Sequence, residues 1–307
     1  MIMPLKRLVP ISDSAVVLRE KSVWIYPPDD FLDYVNLPIG KGLPVPGKLK
    51  PLFAIPTTAR TGSETTGAVI FDYEAIHAKT GIAYQRLKPT LGIVDPDNTE
   101  TMPPVIAAST CLDVLTHAIE SYTAISYKLR PRPEKPSLRP AYQGSNPVSD
   151  MWALQAMRIL SENLIQAVEN PSDENARGMM MLAASFAGIG FGNAGVTLPH
   201  AMSYPVSGMV KDYRPDDYPG DHPLVPHGMA VVLNAPAAFL FTAPACPEKH
   251  IEAAKALGAD VTGANLADAG RILAERVLYY MKRLGMPNGL SAVGYNEVNI
   301  PAMVTAT

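Results

Sequence analysis

The amino-acid sequence predicts an α/β region followed by an all-α region, with the change near residue 100. Before that point, apolar runs of strand length alternate with turn residues. After it, apolar residues recur at helical spacing over longer segments. Strands that come first and helices that come later indicate α/β structure followed by a helical domain.

The strand prediction rests on four apolar runs bounded by turn residues, namely Pro51–Pro56, Gly67–Tyr73, Lys79–Tyr84 and Thr90–Val94. The first long helix is predicted over Pro103–Ala124, since a proline costs little where its missing N–H is not needed. Its apolar face comprises Val105, Ala108, Leu112, Leu115, Ile119 and Tyr122. Further helices are predicted at about 148–169, 173–193, 228–240, 247–257 and 265–284.

Composition limits the functional classes. With 47% hydrophobic and 18% charged residues among 307, the chain can bury a sizeable core. A net charge of -3 argues against general attraction to nucleic acid or an anionic membrane, so an anionic substrate needs a local cluster of cations. Two cysteines exclude a disulfide framework, and the first 24 residues lack a clear targeting pattern. The uncharged stretch Gly178–Pro199 is long enough to span a membrane, but its five glycines favour a buried helix.

Two long irregular segments interrupt the helical half. Lys128–Pro147 contains five prolines and five basic residues, whereas Lys211–Pro226 is acidic and rich in turn residues. Segments of this length are usually functional lids or disordered insertions.

Asp113 and His117 are candidates for a metal site. They lie four residues apart on one helix face, opposite the apolar stripe. Such a pair is most often exposed, but the apolar neighbours suggest that both faces are enclosed, and a buried carboxylate needs a partner. His200 and His227 lie beside apolar helical segments, where histidines are often hydrogen-bonded core residues. Together, one carboxylate and three imidazoles favour Fe(II) or Zn(II), with a coordination position left for substrate.

The other histidines and one glycine motif are interpreted as having no catalytic role. His77, His222 and His250 are predicted to be solvated. A G-x-G-x-x-G pattern spans residues 190–195, but the dinucleotide fingerprint needs a preceding strand, and here a predicted helix precedes it. These glycines are expected to permit close helix packing.

The segment Pro56–Thr66 (PTTARTGSETT) is the better phosphate candidate. It follows a predicted strand and is rich in hydroxyls and backbone donors, which suits phosphate or ribose. A turn capped by Glu64 is the alternative explanation.

Taken together, PTTARTGSETT, VDP, DVLTHAIESY, HAMSYP and PHGM resemble the iron-containing alcohol dehydrogenase family. The resemblance implies a dehydroquinate synthase-like fold with an incomplete Rossmann-like front. It divides the chain into a partial nucleotide-binding domain over residues 1–100 and a helical, metal-binding catalytic domain over 101–307. It also implies metal ligands and an NAD site, the latter comprising Thr57, Thr58, Thr61, Gly62, Ser63 and Lys79. The implied metal ligands are Asp113, His117, His200 and His227.

Residues 31–42, 139–150 and 187–196 are similar to one branch of that family. This branch transfers hydride from 4-hydroxybutyrate to 2-oxoglutarate through bound NAD, so the resemblance implies small carboxylate substrates, a mitochondrial location and a possible homo-oligomer. Arg139 and Lys211, in the two long loops, are the candidates for binding the substrate carboxylate.

Three departures from the family pattern put NAD binding in question. A GGGS pyrophosphate loop is not found, Arg60 replaces a glycine, and the sequence ends at Thr307, before the family's last helices. The alternative hypothesis is therefore an inactive, truncated member that binds metal only. A related lyase of the dehydroquinate synthase type is the other rival, without support from the HAMSYP segment.

Overall fold

A computed structural model describes residues 8–10, 30–73, 78–136 and 139–306. The described strands form two small sheets near the N-terminus. An antiparallel sheet has the order β1 (Leu8–Pro10), β3 (Ala68–Tyr73) and β4 (Ala78–Ala83). A parallel pair joins β2 (Phe53–Ala54) to β5 (Leu91–Gly92).

Eight α-helices follow within the described residues. They are α1 (Pro104–Thr123), α2 (Pro147–Glu169), α3 (Glu174–Ala194), α4 (Leu198–Gly208), α5 (His227–Thr242), α6 (Pro247–Ala256), α7 (Ala269–Arg283) and α8 (Ile300–Thr305). The predicted order of strands first and helices after is confirmed. The division into two domains at residue 100 stays a prediction.

Helix α1 lies at the centre of the helical part. It packs against α2, α3 and α5, and every residue from 107 to 122 is buried. Both faces are therefore enclosed, including the face that carries Asp113 and His117. This burial has its origin in the sequence, because small and apolar residues occupy nearly all of the helix.

A second, smaller apolar cluster lies under the β3–β4 hairpin. It comprises Tyr34, Val35, Val45, Val69, Phe71, Ile82 and Leu87. Residues 57–66 connect β2 to β3 and contact the helices: Ala59 is part of the helical core, and Gly62 lies against α3. Gly62 adopts a left-handed conformation there, with φ of 56°, which a glycine adopts without steric cost.

The predicted helices are all present, with ends shifted by a few residues. Helix α4 was not among the helices predicted from the sequence, because its two prolines, Pro199 and Pro205, interrupt the helical pattern. The uncharged stretch 178–199 is not one straight helix, since α3 ends at Ala194 and the chain bends by 104° into α4. The residues of the G-x-G-x-x-G pattern lie at the end of α3, as expected for helix packing: a Cβ on Gly190 would lie 3.2 Å from Ser121 Oγ.

One histidine prediction is wrong. His250 is buried rather than solvated, because α6 packs against α1, α2 and α7. Its Nε2 lies 3.1 Å from the Thr242 hydroxyl and its Nδ1 lies 3.0 Å from the Cys246 carbonyl oxygen. Burial lowers its pKa. His222 is exposed, as predicted, and His77 lies outside the described residues.

A substitution at Gly188 tests whether the loop 57–66 packs closely against α3. A Cβ at Gly188 would lie 2.6 Å from the Gly62 carbonyl oxygen, whereas one at Gly178 on the same helix would lie 3.5 Å from Pro96 Cγ. We expect Gly188→Ala to lower the free energy of unfolding by about 1–3 kcal/mol through overpacking. Gly178→Ala is the matched control and should be neutral or stabilising by up to about 1 kcal/mol, from helix propensity. Urea unfolding measures both; equal effects would contradict the close approach.

Candidate metal centre

Helix α1 presents two of the candidate ligands. Asp113 and His117 are one turn apart, and they are 0% and 2% exposed. The ring of His117 stacks on Phe191 of α3, with centroids 4.1 Å apart and planes inclined by 15°. The helix and this stacking contact together fix the direction of the imidazole.

The other two candidates come from the beginnings of α4 and α5. His200 lies in the first turn of α4 and His227 is the first residue of α5. Helix α5 approaches α1 closely at Gly228, where a Cβ would lie 2.9 Å from Asp113 Cβ. The backbone N–H of Met229 donates to Ser109 Oγ at 3.1 Å and holds the two helices together.

The four side chains converge on one carboxylate oxygen. Asp113 Oδ1 lies 3.7 Å from His117 Nδ1, 3.5 Å from His200 Nε2 and 3.9 Å from His227 Nε2. Asp113, His117 and His200 each offer a ligand atom within 4.8 Å of the other two. His227 joins this group through its distance to Asp113.

Several polar atoms of this cluster are buried without a hydrogen-bond partner among the described residues. They are both carboxylate oxygens of Asp113, Nδ1 of His117 and Nε2 of His200. Leaving buried polar atoms unpaired is costly, so native proteins rarely do so without a functional reason. Carboxylate oxygen and imidazole nitrogen are ligands that Fe(II) and Zn(II) accept, and the residues present therefore fit such an ion.

The pKa values of the cluster are shifted in different directions by burial and by the neighbouring charges. Burial alone would raise the pKa of Asp113, but the imidazoles of His117, His227 and His200 hold it well below its usual range. Burial lowers the pKa of His117 to about 3, so this ring is neutral and keeps a lone pair. Burial also acts to lower the pKa of His200, yet the carboxylates of Glu120 and Asp113 raise it to about 10.

Glu120 is a functional candidate that the sequence analysis missed. It is fully buried, and its Oε1 lies 2.5 Å from His200 Nδ1. Its Oε2 accepts from the backbone N–H of Thr197 at 2.5 Å. Carboxylates in this position fix the tautomer of a metal-binding histidine, and here Nδ1 is held so that Nε2 faces Asp113. The signal was available, since Glu120 follows Asp113 by seven residues on the same helix face.

Arg60 also reaches the cluster. Its Nε lies 3.5 Å from Asp113 Oδ2, and its side chain is 15% exposed. Arg60 is the residue that replaces a glycine of the family pattern. The structure places its guanidinium beside the Asp113 carboxylate.

All the predicted nucleotide contacts except Lys79 lie on the loop 57–66. Thr57 is exposed, and the half-buried ones are Thr58, Thr61 and Ser63. Gly62 is buried against α3, and Glu64 Oε1 accepts from Ser185 Oγ at 2.6 Å. Lys79 lies in β4, opposite Asp72, and its side chain is outside the described part of the structure.

The two candidate substrate-binding cations are both exposed. Lys211 lies just after α4, and Arg139 lines a surface cavity of about 540 Å³ before α2. Arg130 and Arg132 line the same cavity, so the basic loop forms a concentrated positive surface. The structure thus places neither candidate inside the buried cluster, and their role stays a prediction.

Comparison with known proteins decides the family. Residues 141–307, more than half of the chain, match the Fe-containing alcohol dehydrogenase family, C-terminal region, and residues 15–96 match the iron-containing alcohol dehydrogenase family. The chain belongs to the iron-containing alcohol dehydrogenase family. A Xenopus laevis relative named mitochondrial hydroxyacid-oxoacid transhydrogenase is 55% identical over 303 residues, which cover 97% of this chain. The chain spans 65% of the length of that relative.

Solved structures of the family confirm the fold. A 1,3-propanediol oxidoreductase superimposes with a TM-score of 0.78 at 27% identity, covering 95% of this chain and 67% of that one. A sulfoacetaldehyde reductase from Bifidobacterium kashiwanohense, solved in complex with NAD+, has a TM-score of 0.74 at 27% identity, covering 95% of this chain and 66% of that one.

Glu120→Ala tests the second buried carboxylate. We expect it to lower the free energy of unfolding by about 3–5 kcal/mol, because it leaves the ring N–H of His200 and the N–H of Thr197 buried without an acceptor. The measurement is urea unfolding in excess chelator, so that bound metal does not contribute. The exposed Glu162→Ala is the control, expected within about 0.5 kcal/mol of wild type. A Glu120→Ala variant as stable as the control would contradict the role.

Proposed function

We propose that Asp113, His117, His200 and His227 bind one divalent metal ion and that the chain is the metal-binding part of a hydroxyacid-oxoacid transhydrogenase. The observation that carries the proposal is the fully buried Asp113 carboxylate, with three imidazole nitrogens within 3.9 Å of one of its oxygens. Fe(II) is favoured over Zn(II) by the family description, although the ligands accept both.

An ion bound there would supply Lewis acidity, which polarises the oxygen of an alcohol or a carbonyl group. The chain's own residues prepare the site for this chemistry. Asp113 stays anionic and His117 stays neutral, so both can ligate at neutral pH, whereas His200, whose pKa is raised, would release a proton when an ion binds. Glu120 holds Nδ1 of His200 and so orients Nε2 towards the other ligands. The helices around the site leave Asp113, His117 and His200 buried.

The proposed reaction moves hydride from 4-hydroxybutyrate to 2-oxoglutarate through bound NAD, in mitochondria. Its support is the name of the 55% identical relative and the NAD+ complex of a structural neighbour. Thr57, Thr58, Thr61, Gly62, Ser63 and Lys79 are the proposed NAD contacts. The loop carrying most of them packs on α3 at Gly62, and Phe191 of the same helix stacks on His117.

Native mass spectrometry of the purified chain tests metal and NAD together. We expect one metal ion per chain, lost on chelation and in Asp113→Ala, because the carboxylate contacts all three histidines. His222→Ala removes an exposed imidazole and should keep the metal. One NAD per chain would support the transhydrogenase, and metal without NAD would favour a member that binds metal only. Metal retained in Asp113→Ala would contradict the site.

Steady-state kinetics test the substrate-binding cations. We expect the double variant Arg139→Ala/Lys211→Ala to raise KM for 2-oxoglutarate about tenfold with little change in kcat, since both would bind the carboxylate away from the reacting carbon. Arg271→Ala/Lys282→Ala removes two exposed charges from α7 and should leave KM unchanged. An unaltered KM in the first variant would contradict the assignment.

A further inference from the structure

The side chain of Arg60 forms an ion pair with Asp113, which lies outside the loop that carries Arg60. Its Nε lies 3.5 Å from Asp113 Oδ2, while Oδ1 of the same carboxylate faces the three histidines. One carboxylate is therefore shared between an arginine on one side and the imidazole cluster on the other.

The loop holds this arginine in place. Ala59, directly before it, is buried in the helical core. Gly62, two residues after it, lies against Ala184 and Gly188 of α3. The backbone N–H of Arg60 donates to the Thr58 carbonyl at 3.0 Å. With both flanks anchored and the side chain 15% exposed, the guanidinium has little freedom to leave the carboxylate.

The ion pair between Arg60 and Asp113 affects both the stability of the buried carboxylate and its affinity for a cation. A fully buried carboxylate without a counter-charge is strongly destabilising, and a permanently charged guanidinium supplies one. A divalent cation on the same carboxylate would lie within a few ångströms of that positive charge, where repulsion is only partly screened. Arginine and metal thus compete for the charge of one group.

We propose that Arg60 is a built-in counter-ion of Asp113, which stabilises the buried carboxylate when no ion is bound and lowers the affinity of the site for divalent cations. This inference rests on the proposed metal site. Arg60 thereby sets the concentration of free metal at which the site fills.

Zinc titration of the chelator-treated chain tests the proposal, with Zn²⁺ competing against a chromophoric chelator. Arg60→Met keeps the length and apolar stem of the side chain and removes its charge. We expect it to bind Zn²⁺ about 10- to 100-fold more tightly than wild type. The same variant should unfold several degrees lower in EDTA, because Asp113 then loses its guanidinium counter-ion and keeps only the neighbouring histidines. A merely structural residue would lower both stability and affinity.

Two variants serve as controls. Arg60→Lys keeps the charge and should keep the wild-type zinc affinity. Arg271→Met removes one exposed positive charge at another site and should change neither quantity. Arg60→Gln is the second neutral variant, in case Arg60→Met does not fold, since its amide can still donate to the carboxylate; it too should bind Zn²⁺ more tightly.

The possible results distinguish failure of the Arg60 proposal from failure of the proposed metal site. If Asp113→Ala abolishes zinc binding but neither neutral Arg60 variant binds more tightly than wild type, the role of Arg60 is wrong and the metal site stands. If Asp113→Ala binds Zn²⁺ like wild type, both claims fail. Tighter binding with lower stability in EDTA, reversed by lysine, supports the proposal.

Discussion

The buried carboxylate of Asp113 is the constraint on which the rest of the structure depends. Its side chain is 0% exposed, in the middle of a helix that is itself enclosed on both faces. A charge in such surroundings must be balanced by other charged or polar groups. Three imidazoles and one guanidinium meet that requirement, and they come from four separate parts of the chain. The packing of α1, α4, α5 and the loop 57–66 is therefore inseparable from the site.

Two carboxylates on α1, those of Asp113 and Glu120, contact opposite sides of the His200 ring. Asp113 faces the ligand nitrogens, whereas Glu120, seven residues later, binds the far side of the His200 ring. The contrast between two histidines follows from this arrangement. His117 stacks on Phe191 and its burial lowers its pKa, while His200 lies between two carboxylates, which raise its pKa despite its burial. Identical side chains thus acquire different properties from their neighbours.

The order of strands and helices could be predicted from sequence patterns, but the contacts between distant residues could not. The strand-to-helix order and the helix positions follow from periodicity, because each needs only local information. The four metal candidates also came from local settings and motif resemblance, and the structure brings them together. The interactions of Glu120 with His200 and of Arg60 with Asp113 join residues 80 and 53 positions apart, which no local pattern encodes. The burial of His250 was missed for the same reason: it depends on how α6 packs.

The loop 57–66 makes the two parts of the chain interdependent. Through Gly62 it lies against Gly188 of α3, the helix whose Phe191 supports His117. Through Arg60 it contacts Asp113 directly. A displacement of this loop would move the guanidinium relative to the carboxylate and would disturb the packing of α3. Since the same loop carries the proposed nucleotide contacts, occupation of those contacts and the charge balance of the metal site act on one short segment.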